Sequence, residues 1–550
     1  MRLSARYRLY LLGGLYLAPY CAMLVWCLQS AKPRSVITLV LTAALGSLLL
    51  AGVTRTWRRF FLAYFPFLLL TLAYTAYSLG YGITPGYMLS LVLVSATLEE
   101  MLGLLTIWPQ KWLLLPLCAF VGTYLWLAWH LPQRAIFSGN AYIGARVILG
   151  LSIPALAYAT QSTPQLVDGM ALNPAVGSLM FCAGQLPRAR REIHGAGVHK
   201  SPFDASRNEK DEEVHVFVLG ESARRGSWSV YGYERPTTPY LEKIRPEIIL
   251  LEHAMSDANL TSMSVPIILT GIGPEQISSA SPRGNLLDVA KEAGYATAWL
   301  VNQDLTVTTA IGVTADHLVI PPDPNMSFFG RHVADESLLP AYQRELASTG
   351  SSRFIAMHVM GSHWEYYQRY PTKFQRYGDT SHLNTVSLFS GNKRTEEALR
   401  DSYDNSVLYT DWFLQEVIER ARQLKVPATV TFVPDHGESV AVLDGGAAGH
   451  GGPNYYASQF QIPAFIWVNE AYRAAHPEKV SALRSNAVKE IRSHDFFYTV
   501  ADMMGITWPG KKLDRSFASA AFIPDTASKY IVGGVLTAIP EQGATLVSQR

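Results

Sequence analysis

Charge is scarce in this chain: 16% of its 550 residues are Asp, Glu, Lys or Arg, against roughly a quarter in an ordinary soluble domain. Acids are scarcest at the front, where residues 1–160 hold only Glu99 and Glu100 beside 11 Lys and Arg. Of 46 basic and 44 acidic residues, 35 and 42 remain for residues 161–550, so a front end of +9 is joined to a body of −7. A single soluble globule is excluded, and so is a disordered or nucleic-acid-binding chain, because the net charge of +2 hides two unlike bodies. Cysteine is scarce as well. Cys21, Cys27, Cys118 and Cys182 are the four, and none follows residue 182. The polar body therefore has no disulfide framework and no cysteine metal site.

Long apolar runs take the place of charge at the front. A bilayer core of about 30 Å takes roughly 20 apolar residues as helix. Five stretches approach that length: Leu9–Gln29, Ser35–Val53, Phe60–Leu79, Lys111–Leu131 and about Tyr142–Thr160. The first has the basic flank of a signal peptide (Arg2, Arg6, Arg8), but it is long, lacks a clear cleavage site and is followed by more spans, so it reads as retained. The bias of Lys and Arg in short loops puts the N-terminus, Arg55, Arg58, Arg59, Arg134 and Arg146 on the cytoplasmic side, against the dissent of Lys32, Arg34 and Lys111. Five crossings then carry everything after residue 160 outside the cytoplasmic membrane. A further apolar segment, Met88–Ile107, contains Glu99 and Glu100. Two carboxylates are costly at bilayer depth, so this segment reads as an interfacial or partly re-entrant helix on the outer side.

Residues 161–212 pass from apolar to polar through the basic cluster Pro187–Arg191 and read as a bridging helix and exposed linker. From residue 213 to 550 short apolar runs alternate with helix-length polar segments. Strands are expected at Val214–Leu219, Ile248–Glu252, Thr297–Val301, Phe354–His358, Thr429–Val433 and Ile462–Val468, with helices near 284–293, 394–424 and 494–504. Such alternation predicts an α/β domain with a mostly parallel sheet, in which ligands gather at the carboxyl ends of the strands.

Polar residues cluster where those strands should end. Glu221 lies just past the first, and Asp435 and His436 just past the fifth, in Asp435-His-Gly-Glu438. Carboxylate and imidazole suit zinc, which takes mixed oxygen and nitrogen donors; structural capping is the plainer reading of either pair alone. His363 follows another strand, and His450 sits in the glycine-rich Gly445–Gly452. Together with Asp435 and His436 these histidines form a candidate anion-binding cluster, where His450 alone would read as part of a mobile loop. Asp257-Ala-Asn-Leu-Thr261-Ser-Met-Ser264-Val-Pro266 is a polar turn leading into an apolar helix. A hydroxyl there feels the positive end of the helix dipole and the free N–H groups, which favour an alkoxide and a bound phosphate. Against this stand simple capping by Thr261, Ser262 or Ser264, and a glycosylation sequon at Asn259-Leu-Thr261.

These pieces, in this order, resemble the membrane-anchored phosphoethanolamine transferases of Gram-negative bacteria, of the alkaline-phosphatase/sulfatase superfamily. The likeness covers nearly the whole chain. Its most specific stretches are Gly220-Glu-Ser-Ala-Arg224, Tyr231-Gly-Tyr-Glu-Arg235-Pro-Thr-Thr-Pro239, Thr261 with Ser264-Val-Pro266, Met360-Gly-Ser-His363, Arg369-Tyr-Pro371, Tyr403–Asp411 and Asp435-His-Gly-Glu-Ser439. The resemblance implies five spans and a periplasmic sulfatase-like domain. Glu221, Thr261, Asp435 and His436 would be the zinc ligands and Thr261 the nucleophile. His363 and His450 would hold the phosphoryl group or a second metal, and Glu99 would lie near the lipid donor. It also implies phosphatidylethanolamine as donor, a glycolipid or glycan acceptor (lipid A or core sugar first), contact with membrane lipids, no nucleic acid and a monomer. The chain departs from the family in lacking periplasmic disulfides, in Ile267 where relatives have cysteine, and in Leu305–Thr309 where relatives have a lysine. A hydrolytic sulfatase or phosphodiesterase, a glycerol-phosphate polymerase of the lipoteichoic-acid type, and a non-enzymatic metal-binding scaffold are the alternatives.

Overall fold

In a computed structural model of the chain, the described residues are 4–29, 33–81, 111–137, 139, 143, 173–180, 182, 202–207, 211–276, 284–303, 315–321, 333–383, 393–452, 454–525 and 529–539. They form two compact units, one ending at residue 191 and one beginning at 192.

The first unit is built, among the described residues, from the helices α1 (Ala5–Gln29), α2 (Pro33–Thr54), α3 (Trp57–Tyr81), α4 (Lys111–Trp129) and the short α5 (Pro174–Met180). Helices thus cover four of the five apolar stretches, each with bounds within a few residues. Tyr142–Thr160, and Met88–Ile107 with Glu99, lie outside the described residues but for Ile143. One described stretch, Ala5–Val25, is by itself long and apolar enough to cross a membrane. Several buried polar groups in this unit are neutral and paired: Tyr16 with Ser47, Tyr64 with Thr71, and Tyr124 donating to the carbonyl of Phe61. The start of α1, the end of α2, the start of α3 and the end of α4 meet at one end of the bundle. Arg8 reaches the carbonyl of His130 at 2.6 Å, and the N–H groups of Trp57 and Ile136 donate to the carbonyls of Arg134 and Arg55. Arg8, Arg55, Arg58, Arg59 and Arg134 therefore share that end.

In the second unit the expected apolar runs become a seven-stranded sheet. Its strands in chain order are β1 (Val214–Gly220), β2 (Ile248–Leu251), β3 (Ala296–Val301), β4 (His317–Val319), β5 (Arg353–His358), β6 (Ala428–Pro434) and β7 (Ala464–Val468). The spatial order is β2-β7-β6-β1-β5-β3-β4, and only β7 runs against its neighbours. Such a sheet is covered on both faces, which is why β1, β5 and β6 are buried at every position. Alternate side chains face opposite cores. Phe217 and Leu219 pack with helices α6 (Thr261–Thr270), α7 (Leu286–Glu292), α10 (Glu470–Ala475), α11 (Pro477–Asn486) and α12 (Asp495–Met503); Val216 and Val218 pack with α8 (Leu339–Ala347) and the 30-residue α9 (Lys393–Arg422). The run expected at Ile462–Val468 starts at Ala464, because Pro463 has no N–H for the ladder. β4 was not expected: three largely exposed residues carry no apolar pattern.

The register brings four strand ends side by side. Gly220 pairs Pro434, Leu219 pairs His358, and Val301 pairs His358. Glu221, Asp435, Val359 and Asn302 consequently leave the sheet together, at its carboxyl edge.

Candidate active site

The turn after β1 is held from three sides. Ser222 has a left-handed backbone (φ 52°), strained for a residue with a side chain. Its N–H donates to Asp435 Oδ1 at 3.1 Å, its carbonyl accepts from the Tyr403 hydroxyl of α9 at 2.7 Å, and its own hydroxyl donates to Glu221 Oε1 at 2.7 Å. Gly361, at φ 51°, packs so closely on this turn that a Cβ would sit 2.8 Å from the Glu221 carbonyl. Glu221 is thus aimed by backbone that has little freedom.

Thr261 is the first residue of α6, and the helix is capped by the backbone of Leu260 without a side-chain bond. Capping is therefore not the task of Thr261; Ser264 instead donates to the Ala258 carbonyl. The loop before it is anchored by the buried Asp257, which accepts from the Arg492 guanidinium, the Ser493 hydroxyl and both the ring and the backbone N–H of His494. Burial alone would raise this carboxyl, but His494 and Arg492 hold it well below the usual range. Asn259 donates to the Gly452 carbonyl and Gln459, and accepts from the Gly533 N–H. It is fully buried, which overturns the sequon reading, because a glycan needs an exposed amide.

Thr261 Oγ1 lies 3.4 Å from both oxygens of Glu221 and 3.2 Å from His436 Nε2. Asp435 and His436 follow β6, and His436 Nδ1 faces the Gly437 carbonyl at 2.8 Å, so Nδ1 carries the proton and Nε2 presents a lone pair. Asp435 Oδ2 lies 3.2 Å from that lone pair and 0% exposed, with no hydrogen-bond donor. Burial and the neighbouring Asp435 raise the Glu221 carboxyl, and burial raises that of Asp435 to about 6. Two acids and an imidazole nitrogen turned on one another, with an acceptor left without a donor, form a donor set that a cation completes. Glu221, Asp435 and His436 fit a divalent ion, and so does the group His436, Glu438 and His450.

The second group extends the site sideways. His450 Nδ1 meets Glu438 Oε2 at 2.6 Å, and the other oxygen of Glu438 accepts from the Tyr366 hydroxyl. The His450 ring centre is 4.1 Å from that of His436 and 6.2 Å from that of His363. The glycine-rich loop is pinned by paired backbone bonds between Ser439 and Gly449 and by Gln459. Gly451 (φ 75°) passes Leu260, beside the threonine, where a Cβ would meet it at 2.5 Å. The structure thus gathers Glu221, Thr261, Asp435, His436, His363 and His450, while Glu99 is outside the described residues. Three neighbours went unassigned by sequence reasoning. Gln303, just past β3, donates to Glu221 Oε2 at 3.0 Å; Glu438 and Tyr366 orient His450. Glu438 had a signal, standing three residues after Asp435. Gln303 and Tyr366 had none without the topology.

Comparison with known proteins agrees with this architecture. The family model described as Sulfatase matches residues 214–506. The chain is similar to the phosphoethanolamine transferase EptA of Escherichia coli (strain K12), at 26% identity over 391 residues covering 68% of this chain and 69% of that protein. Among solved structures, it is similar to the integral membrane protein lipooligosaccharide phosphoethanolamine transferase A (EptA) from Neisseria meningitidis, with a TM-score of 0.65 at 20% identity over 94% of this chain and 98% of that one. The C-terminal periplasmic domain of EptC from Escherichia coli, in complex with Zn, gives a TM-score of 0.54 at 23% identity over 64% of this chain and 100% of that one. At these identities the two structures speak for the fold.

Proposed function

The chain belongs to the sulfatase family, and from that premise we propose that it transfers phosphoethanolamine from phosphatidylethanolamine to an envelope glycolipid, lipid A or a core sugar first, through a phosphothreonine-type intermediate on Thr261. One observation carries the reading: a helix-start threonine hydroxyl lies 3.4 Å from Glu221 and 3.2 Å from His436 at the carboxyl edge of the sheet. The relatives named as phosphoethanolamine transferases supply the transferred group.

Glu221, Thr261, Asp435 and His436 would hold one zinc ion, with His363 and His450 for the phosphoryl group or a second. A bound zinc ion would supply Lewis acidity that favours the ionised hydroxyl and offsets charge at phosphorus. The chain's own groups divide the remaining work. The Thr261 proton passes to Glu221, the Oγ1–P bond forms, and the P–O bond to diacylglycerol breaks. His450 gives its proton to the leaving glycerol oxygen, with Glu438 supporting the imidazolium. In the second half the acceptor hydroxyl returns a proton to His450 and attacks phosphorus, and the threonine oxygen leaves and reclaims its proton from Glu221. His363, whose ring centre is 6.2 Å from that of His450, holds the phosphoryl oxygens.

The first 160 residues anchor the protein by five spans with the N-terminus inside, 161–212 bridge, and 213–550 work in the periplasm as a monomer. Glu99 belongs beside the donor lipid. Tethering raises the effective concentration of a donor lying in the same leaflet. Mass spectrometry of envelope glycolipids with and without the gene tests the proposal. A phosphoethanolamine increment that disappears with the gene supports it; unchanged glycolipids overturn it. The family also admits hydrolysis, and release of free phosphoethanolamine into water without an acceptor would favour that reading. Transfer from labelled phosphatidylglycerol would favour a glycerol-phosphate polymerase.

A further inference from the structure

The first unit contains a cavity for which the transfer reaction has no use. It measures about 260 Å³, less than the roughly 300–1,000 Å³ that encloses a drug-sized ligand, so it has room for part of one acyl chain but not for a whole lipid. Its lining is apolar, from Gly13, Tyr16 and Leu17 of α1, Leu48 and Ala51 of α2, and Phe61 of α3 among others, with Leu17 half exposed at the outer wall. The two hydroxyls at its wall, on Tyr16 and Ser47, are paired with each other.

The position of the cavity matters more than its size. Gly13 and Leu17 lie roughly 8 and 14 Å along α1 from Arg8 at 1.5 Å per residue. Ala51 is one turn before Arg55, and Phe61 follows Arg59. The recess therefore lies directly beneath the arginine end of the bundle. Arg58 stacks over the Trp129 ring at 4.2 Å, whereas the side chains of Arg59 and Arg134 are exposed. Apart from Glu99 and Glu100, no Asp or Glu occurs before Asp168, so these arginines have no carboxylates on their own segments to balance them.

An apolar slot under a cationic rim matches one chemistry. We infer that this end of the first unit binds an anionic phospholipid of the surrounding leaflet, with part of one acyl chain in the cavity and the headgroup phosphate against Arg59 and Arg134. The inference rests on the reading that the unit spans a bilayer. In the proposed orientation the site faces the cytoplasmic leaflet, so the bound lipid is a resident of the fold and not the donor. A neutral lipid would fill the slot but leave the rim unmatched.

Native mass spectrometry of the full-length protein in detergent, with dioleoyl phosphatidylglycerol or dioleoyl phosphatidylcholine added, tests it. The wild type is expected to retain phosphatidylglycerol about thirtyfold better, the size expected for two basic side chains against an anionic headgroup. The double variant Arg59→Gln/Arg134→Gln loses that preference. Gly13→Leu, whose new side chain starts in open space, fills the slot and lowers retention of both lipids with thermal unfolding unchanged. Equal retention of the two lipids by the wild type, a double variant that keeps the preference, or a dimer in place of a lipid adduct overturns the inference. Thr261→Ala must bind phosphatidylglycerol as the wild type does, so failure of the transfer proposal leaves this test standing. Extraction of the chain from membranes by alkaline carbonate overturns the spanning reading and the lipid site together.

Discussion

Two acid–imidazole clusters lie at opposite ends of β1, and they differ in one respect. At the amino end Glu213 meets His215 at 3.0 Å and His476 at 2.6 Å, and the other nitrogen of His215 meets Thr429. Both carboxylate oxygens have partners. At the carboxyl end Glu221, Asp435 and His436 crowd together, yet Asp435 Oδ2 has no donor and His436 turns a lone pair toward it. Burial is common to both clusters; satisfaction is not. A closed cluster ties a strand to its neighbours, whereas an open one has free valence for an ion and a reacting group. Buried titratable residues thus do not by themselves mark a site, nor does a lone acceptor without a donor, since Asp404 Oδ1 is one as well; the mark here is such an acceptor facing a second acid and an imidazole lone pair.

The sharpest way to separate the two clusters is Thr261→Ala, which removes the proposed nucleophile from the open one. Transfer is expected to fall about 10⁴-fold or more, measured as phosphoethanolamine incorporated into glycolipid, with the thermal unfolding temperature kept. Asp435→Asn should release zinc, read by elemental analysis of the purified protein. It should leave the metal-free protein no less stable in denaturant unfolding, since its orphan oxygen makes no bond to lose and an amide N–H there faces the His436 lone pair. A large destabilisation would mean that the open cluster is structural after all.

Asp257→Asn acts one step away, through the anchor of the loop that leads to Thr261. It leaves the buried Arg492 and His494 without their counter-charge, at an expected cost of about 3–5 kcal/mol. Denaturant unfolding reads the loss, and activity falls with it. Glu213→Gln is the closed-cluster counterpart, expected to cost about 1–3 kcal/mol with the turnover of folded enzyme unchanged. It carries a pH signature as well. Burial alone would raise the Glu213 carboxyl, but hydrogen bonds from His215 and His476 hold it down at about 2. A depressed acid stabilises the fold above its ordinary value of 4.5 and loses that contribution as pH falls toward 2. The wild type should therefore weaken in that window by more than Glu213→Gln does. Glu213→Gln protein that is stable but inactive would break the contrast between the clusters.

The open cluster was legible in the sequence because buried strands have a local signature. Val216-Phe-Val-Leu-Gly-Glu221 and Thr429-Val-Thr-Phe-Val-Pro-Asp435 are apolar runs with an acid directly past the end, and parallel strands bring such ends together. The Tyr403–Asp411 motif was legible as a pattern but not as a task. In the fold Asp404, Asn405 and Asp411 hold loops through Tyr233, the N–H groups of Arg376 and Tyr377, and those of Tyr240 and Leu241, so the motif is architecture. Partnerships across distance left no local trace. Asp257 and Arg492 are 235 residues apart, and nothing near either residue names the other. The short edge strand β4 was missed for the opposite reason, since an exposed strand of three residues needs no apolar pattern.

Gln303 gives the finest test of what an open cluster requires. Its amide donates to Glu221 Oε2 at 3.0 Å and to the Val359 carbonyl at 3.2 Å, so it links the ends of β3, β5 and β1. It touches Glu221, the proposed ligand and proton acceptor, so its effect passes through the orientation of that carboxylate. Outer partners of this kind are worth roughly 10–100-fold in metal affinity. Gln303→Ala is expected at the low end, about tenfold weaker zinc by chelator competition, because Ser222 still holds the other oxygen of Glu221. Saturating zinc should restore most of the transfer rate, which it would not do for Thr261→Ala. Gln303→Glu, by placing a third acid beside Glu221 and Asp435, should instead tighten zinc while raising the cost of the empty site. If both substitutions leave zinc affinity unchanged, Glu221 is aimed by the strained Ser222 turn alone.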